Sequence, residues 1–449
     1  MNKCVLVVNP RGVLLAMKDD VLESRAVLSR ARVGAQGEFF RHGSFVFAGT
    51  AIANVFQYAY YAAVGRIVGV VDYGVVTSLL SATLMVAAPA SVAATIVARL
   101  AAEFSASGDD ARLRSLVRIV NRWTLLAAAA LLALVALLRD GIAGFFHAGS
   151  IGAVVAAGVA LALTAAMPVQ RAVFSGAQAF GAYAASNVIE AVCKAVAGAA
   201  LALRFGADGA LAGAAVALAA AYAYNVLTLR ARHGGPAGRL ALNRSTLTRT
   251  SAAIAGATLS VTTLTSFDVV LVKHYFSAVD AGLFAAAALA GRAIYALIAF
   301  LPTVVLPKAV GGSRDAAPRL FAAAFGTAAV IAAVATVVCR LDAPLVLSIV
   351  AGRAFVAAAP LLVPYAFALS CLALANVTVA YNIGLERYRF VTPLAVIAVA
   401  EIGTVIAYHP SIGAVLAVIV AGHGLALLAT LAGVFQREKP LAAGTATPS

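Results

Sequence analysis

The chain has 449 residues, 63% of them hydrophobic and only 11% charged, with a formal net charge of +15. A soluble protein carries roughly a quarter charged residues, so this composition excludes a soluble globular enzyme. The positive balance does not point to nucleic acid, because Lys and Arg fall in alternate loops rather than along one helix face.

Residues 1–41 mix charges such as Lys18-Asp19-Asp20 with a short apolar stretch, Cys4 to Val8. That stretch is too short for a signal h-region and is interrupted by Pro10 and Arg11. The segment reads as a cytoplasmic extension, or as a reading frame begun too early. Twelve apolar runs follow, near 44–64, 73–97, 123–138, 151–168, 182–203, 210–229, 251–272, 282–305, 320–339, 357–380, 390–408 and 412–435. A run of about 20 such residues crosses a ~30 Å hydrocarbon core, and without water its backbone must be helical. The third run is short and can extend in either direction.

Lys and Arg set the orientation. The arm holds Lys3, Arg11, Lys18, Arg25, Arg30, Arg32 and Arg41, and the loop after the second run holds Arg99, Arg112, Arg114, Arg118 and Arg122. Further basic loops carry Arg230 to Arg249, and Lys308, Arg314 and Arg319, while the alternate loops hold little beyond Arg66, Arg139, Arg204, Lys273, Arg340 and Arg353. Both termini are therefore expected in the cytoplasm. Twelve spans starting on one side divide into a bundle at 42–229 and a bundle at 251–435. Between them runs a basic linker, 230–250, which Gly234-Gly235-Pro236 keeps from being helical. The tail, 436–449, is polar and expected to be disordered.

A charged hinge, Arg66-Ile-Val-Gly-Val-Val-Asp72-Tyr73-Gly74, is echoed about 208 positions later by Val279-Asp280-Ala281-Gly282. The fold class expected is thus all-α: a polytopic membrane protein of about twelve helices in two six-helix bundles, related by a pseudo-two-fold axis along the membrane normal. Every loop is short. No G-x-x-x-x-G-K-[ST] or H-E-x-x-H occurs, and no Ser/His/Asp grouping recommends itself, so neither an enzyme nor an ATPase is indicated and no cofactor is expected. Cys4, Cys193, Cys339 and Cys371 are scattered and read as small hydrophobes.

A charge at mid-bilayer costs about 2.5–3.5 kcal/mol on insertion scales, so each demands a reason. Glu190 and Lys194, four apart in the fifth run, form either a self-neutralising pair or a pair that opens for an anion or a proton. Arg292, near the midplane of the eighth run, suits a phosphate through its planar fork, or an ion pair to Asp268 or Glu190. Asp268 fits ion pairing or cation coordination. Glu401, deep in the eleventh run, fits a proton or sodium site, or the cap of a water-filled pocket. Arg66 and Lys273-His274 hold nearly corresponding places in the two halves, either snorkelling to headgroups or lining one cavity from both sides. Tyr58, Tyr60 and Tyr61 read as an interfacial belt. Pro89, Pro168, Pro302 and Pro364 are candidate kinks. Gly65-x-x-x-Gly69 and Gly209-x-x-x-Gly213 are candidate packing motifs.

Gly65 to Gly74 with Ser78-Leu-Leu-Ser81, then Ala98-Arg99-Leu-Ala-Ala-Glu103 with Gly108-Asp109, are similar to the opening of the polysaccharide (oligosaccharide) flippase family. That family lies within the multidrug/oligosaccharidyl-lipid/polysaccharide exporter superfamily. The resemblance continues through Ser186 to Lys194, Phe205 to Gly213, Asp268 and Val279 to Gly282, covering about Ser44 to Phe435. Departures are Ala281 where the first hinge has Tyr73, and the long arm. The resemblance implies alternating access at the bacterial inner membrane. Its substrate would be a polyprenyl-diphosphate-linked glycan, flipped to the periplasmic leaflet in the company of glycosyltransferases or a polymerase. It makes Arg66, Lys194, Lys273 and Arg292 the anion candidates, and Glu190, Asp268 and Glu401 the ion-coupling candidates. A cation-coupled drug antiporter of the same superfamily is the alternative, with a polymerase or ligase and a passive scaffold behind it.

Overall fold

The computed structural model describes the backbone of residues 5–9, 12–16, 18–235, 249–299, 301–302 and 317–435, and side chains within 48–235, 252–299, 301–302 and 317–435. The tail and most of the basic linker lie outside the described residues. So do Lys308 and Arg314.

A hairpin pairing Val5–Asn9 with Gly12–Ala16 precedes the helices. The helices then run α1 Lys18–Ala87, α2 Ala90–Ala106, α3 Asp110–Phe145, α4 Ile151–Gly176 and α5 Phe180–His233. They continue with α6 Arg249–Tyr275, α7 Ala278–Ile298, α8 Ala317–Leu341 and the short α9 Ala343–Val350. A 3-10 turn at Arg353–Ala358 leads into α10 Ala359–Gly384, α11 Val391–Ala407 and α12 Ile412–Val434.

Two of these helices change direction at a glycine. In α1, Gly69 takes φ 76°, a conformation that costs glycine nothing and other residues more. In α5, Gly206 does the same at φ 58°. The arms of α5 then lie antiparallel and close: a Cβ on Gly209 would sit 2.0 Å from the Leu201 carbonyl, and one on Gly213 2.4 Å from Gly198 Cα. Gly209-x-x-x-Gly213 is therefore a packing surface, as small residues at a membrane helix interface allow.

Nine described helices are long and apolar enough to cross a bilayer. With α1 and α5 crossing twice and the 17-residue α11 spanning about 25 Å, twelve crossings result. The bundles differ from the sequence reading only locally. The Arg66–Asp72 hinge is helical on both sides of one glycine rather than a loop, because a single positive φ reverses the chain. The third span grows at both ends, to Asp110–Phe145. Between the ninth and tenth spans the sequence reading has no helix; α9 is there, started by Asp342, whose carboxylate accepts from Leu345 N–H.

In the first lobe α5 packs on α1 and α4, with α2 and α3 against α4; in the second, α10 is central among α7, α8 and α12, and α11 lies on α6. The repeat is exact in length at its centre: α4 and α10 each span 26 residues, and they start at the same separation as the two hinges. The Gly69 turn of the first lobe corresponds to the Ser277 turn of the second, where Ser277 accepts from Asp280 N–H. The end of the molecule bearing both turns is the hinge end.

Candidate functional site between the lobes

The lobes meet through the second arm of α1 and helices α6 and α7. Gly74 and Gly282, equivalent in the repeat, touch at the crossing: a Cβ on Gly282 would lie 1.9 Å from the Val70 carbonyl, and one on Gly74 3.0 Å from Gly282 N. No other residue type permits that approach.

Hydrogen bonds then run from this crossing toward mid-bilayer. At the hinge end Arg66 Nη2 donates to the carbonyls of Ser348 and Ile349 at 2.9 and 2.8 Å, capping the end of α9 from the opposite lobe. His274 stacks on Phe145 with ring centroids 4.0 Å apart, and its Nδ1 is 3.0 Å from the Phe145 carbonyl. Deeper, the Ser78 hydroxyl donates to the Gly74 carbonyl of its own helix at 2.6 Å and shares that proton with the Val269 carbonyl across the seam at 3.2 Å. Deeper still, Arg292 Nη1 donates to Ser81 Oγ at 3.1 Å. Ser81 lies 11 residues past Val70, or about 16 Å down the arm, near the middle of a ~30 Å core.

Arg292 is held from its own lobe by Asp268, with Nη2 to Oδ1 at 3.2 Å, and Asp268 also accepts from the Tyr365 hydroxyl. Its charge reaches Tyr58 and Tyr61 across the seam. From the first lobe Lys194 presents its ammonium to Tyr60 and Tyr61, 4.8 and 5.2 Å from their ring centroids. The interfacial-belt reading does not hold for Tyr60, which is wholly buried and donates to the Ala210 carbonyl.

The pairing expected within the fifth span is also different. Glu190 binds Arg171, Oε2 to Nη2 at 2.7 Å, and Arg171 also donates to the hydroxyl and carbonyl of Ser186. A fourth span ending at Pro168 leaves Arg171 outside the membrane, whereas α4 continues through that proline to Gly176. Glu190→Gln should therefore unsettle the first lobe by stranding Arg171, lowering the melting temperature in detergent by several degrees; Lys194→Met should not reproduce it. Thermal unfolding followed by size-exclusion recovery measures both.

Lys273 is buried, and Asp72 is the carboxylate whose charge acts on it. Arg66, Lys273 and His274 accordingly cluster at the closed hinge-end seam. In the second lobe Asp268 and Glu401 line one narrow crevice with Thr263, Phe267 and Ile402. Glu401 Oε1 is 3.7 Å from His423 Nε2, while Glu401 Oε2 and His423 Nδ1 are buried without hydrogen-bond partners. Cys193, Cys339 and Cys371 are free thiols. Among the described residues no group of three or more His, Cys, Asp or Glu is placed to hold a metal.

No family model matches the chain, and no curated protein does. Solved structures do. One described as the inward-facing conformation of a multidrug resistance MATE family transporter of the MOP superfamily is 14% identical, with 86% of this chain and 97% of that one aligned at a TM-score of 0.65. A eukaryotic MATE transporter is 14% identical over 88% and 94%, at 0.59. An outward-facing multidrug resistance MATE structure is 14% identical over 87% and 93%, at 0.54. At that identity the likeness establishes the two-bundle helical fold.

Proposed function

We propose that this protein is a secondary transporter that flips a polyprenyl-diphosphate-linked oligosaccharide from the cytoplasmic to the periplasmic leaflet of a bacterial inner membrane by alternating access. The observation that carries the reading is Arg292 at the lobe seam near mid-bilayer, bonded to Ser81 of one lobe and Asp268 of the other, with a second cation, Lys194, over Tyr60 and Tyr61 in the first lobe. A diphosphate needs cations there, and a guanidinium fork suits its oxygens. Arg66 and Lys273 would meet it on its way out at the hinge end. The lipid tail would lie against the apolar outer faces of the helices.

The positive-inside distribution puts the hinge end on the periplasmic side and both termini in the cytoplasm. Contacts gathered at the hinge end, and the greater likeness to the inward-facing neighbour, fit a state open to the cytoplasm. Glycosyltransferases would supply the substrate and a polymerase would consume it. Of the coupling candidates, Glu401 and Asp268 share a crevice, whereas Glu190 is engaged by Arg171. That acidic crevice and the multidrug transporters among the neighbours favour the second reading, a cation-coupled drug antiporter.

Export of surface polysaccharide in a strain relying on this chain decides between them. Arg292→Ala should lower polymer yield at least tenfold without changing drug sensitivity. Unchanged yield with altered drug sensitivity would hand the assignment to the antiporter.

A further inference from the structure

Arg292 belongs to both lobes at once. Its Nη2 is committed to Asp268 in its own lobe and its Nη1 to Ser81 in the other. Of its five N–H donors, the one on Nε is buried and has no hydrogen-bond partner. A buried guanidinium N–H without an acceptor is costly, and an oxyanion is the acceptor that a guanidinium edge fits best. The Ser81 bond is also the weaker of the two, a neutral hydroxyl accepting from a cation, and an anionic oxygen competes for that donor with advantage. Of the inter-lobe hydrogen bonds described above, it lies deepest, farthest from the hinge end.

We propose that Arg292 is an anion-released tether between the lobes. An oxyanion entering from the basic-loop side takes Nη1 from Ser81, and the seam then loses its innermost bond. Arg292 keeps Asp268 and stays in place. Arg66, which bonds backbone carbonyls nearer the hinge end, is left to separate afterwards. Site occupancy is converted into freedom of the two lobes to part at the hinge end, so an empty transporter stays shut there. The inference rests on the proposed transport reading for the identity of the anion, but the tether itself is independent of which phosphate compound arrives.

The test uses the full chain in nanodiscs, with its cysteines replaced by alanine and spin labels at Asp140→Cys and Arg353→Cys, exposed hinge-end positions on opposite lobes. Without ligand, Ser81→Ala should raise the population with separated labels at least threefold over the parent. An unchanged distance distribution overturns the tether. Geranyl diphosphate should shift the parent toward the Ser81→Ala distribution and leave Ser81→Ala little changed, while Arg292→Lys, which keeps charge but loses the fork, should not respond. A parent that ignores the diphosphate, or a Ser81→Ala variant that shifts as much as the parent, overturns anion control. Positive results here beside normal export in Arg292→Ala cells would instead refute the glycan-lipid reading and leave the tether standing.

Discussion

Gly282→Ala is expected to abolish transport while leaving a folded protein. The added methyl would sit 1.9 Å from the Val70 carbonyl, a backbone atom that cannot rotate aside, so the two helices must move apart by more than 1 Å. Overpacking of this kind typically costs 1–3 kcal/mol. Here the cost falls on one conformation only. The lobes touch at Gly74 and Gly282 when the hinge end is shut, and separating them removes the clash, so the substitution shifts the equilibrium toward the state open at that end. A penalty of about 2 kcal/mol changes that ratio roughly thirtyfold. Alkylation of a cysteine at Ser78, a wholly buried position in the seam, should become fast in Gly282→Ala and remain slow in the parent. Gly403→Ala is the control: nothing lies within 4 Å of its added methyl, and it should transport normally. Slow labelling in Gly282→Ala would show that the crossing does not govern closure.

That crossing shows how much of the molecule is legible in the sequence. The repeated Asp-x-Gly hinge gives the duplication and twelve spans follow from apolar run length, because a bilayer leaves the backbone no choice but helix. What the hinge glycines are for is not legible, since periodicity says which residues correspond but not that they touch. Gly69 and Gly206 read as packing or loop residues, and only a backbone angle reveals them as the turns themselves. Glu190 shows the opposite failure. The four-residue spacing rule sees partners on the same helix and so selects Lys194, whereas the real partner, Arg171, sits on the preceding helix, just past a proline that membrane helices tolerate. The Asp268–Arg292 pair was within reach because both residues lie in consecutive spans and opposite charges buried in lipid seek each other. Its third member, Tyr365, carried no signal, being one tyrosine in an apolar run. Lys194 facing two tyrosine rings was equally silent: cation–π contacts have no spacing of their own.

Asp268→Asn should be nearly as damaging as Gly282→Ala, by a different route. Asp268 is almost fully buried and its carboxylate satisfies both Arg292 and the Tyr365 hydroxyl. Removing the charge leaves a guanidinium in the lobe without its counter-ion, and breaking a buried pair by losing one partner costs about 3–5 kcal/mol. If the pair serves stability alone, discarding both charges should recover most of that loss, because a neutral pair of similar volume has no stranded ion. The double variant Asp268→Asn/Arg292→Gln is thus expected to melt closer to the parent than Asp268→Asn alone, with a coupling of roughly 1–3 kcal/mol between the sites. Polymer export should not follow. A diphosphate still requires the cation, so the double variant should fold well and export poorly, at least tenfold below the parent. Melting in detergent and polymer yield, measured on the same four proteins of the cycle, separate the two roles of Arg292. A double variant restored in both would reduce it to a structural residue and remove the main support for anion recognition at mid-bilayer.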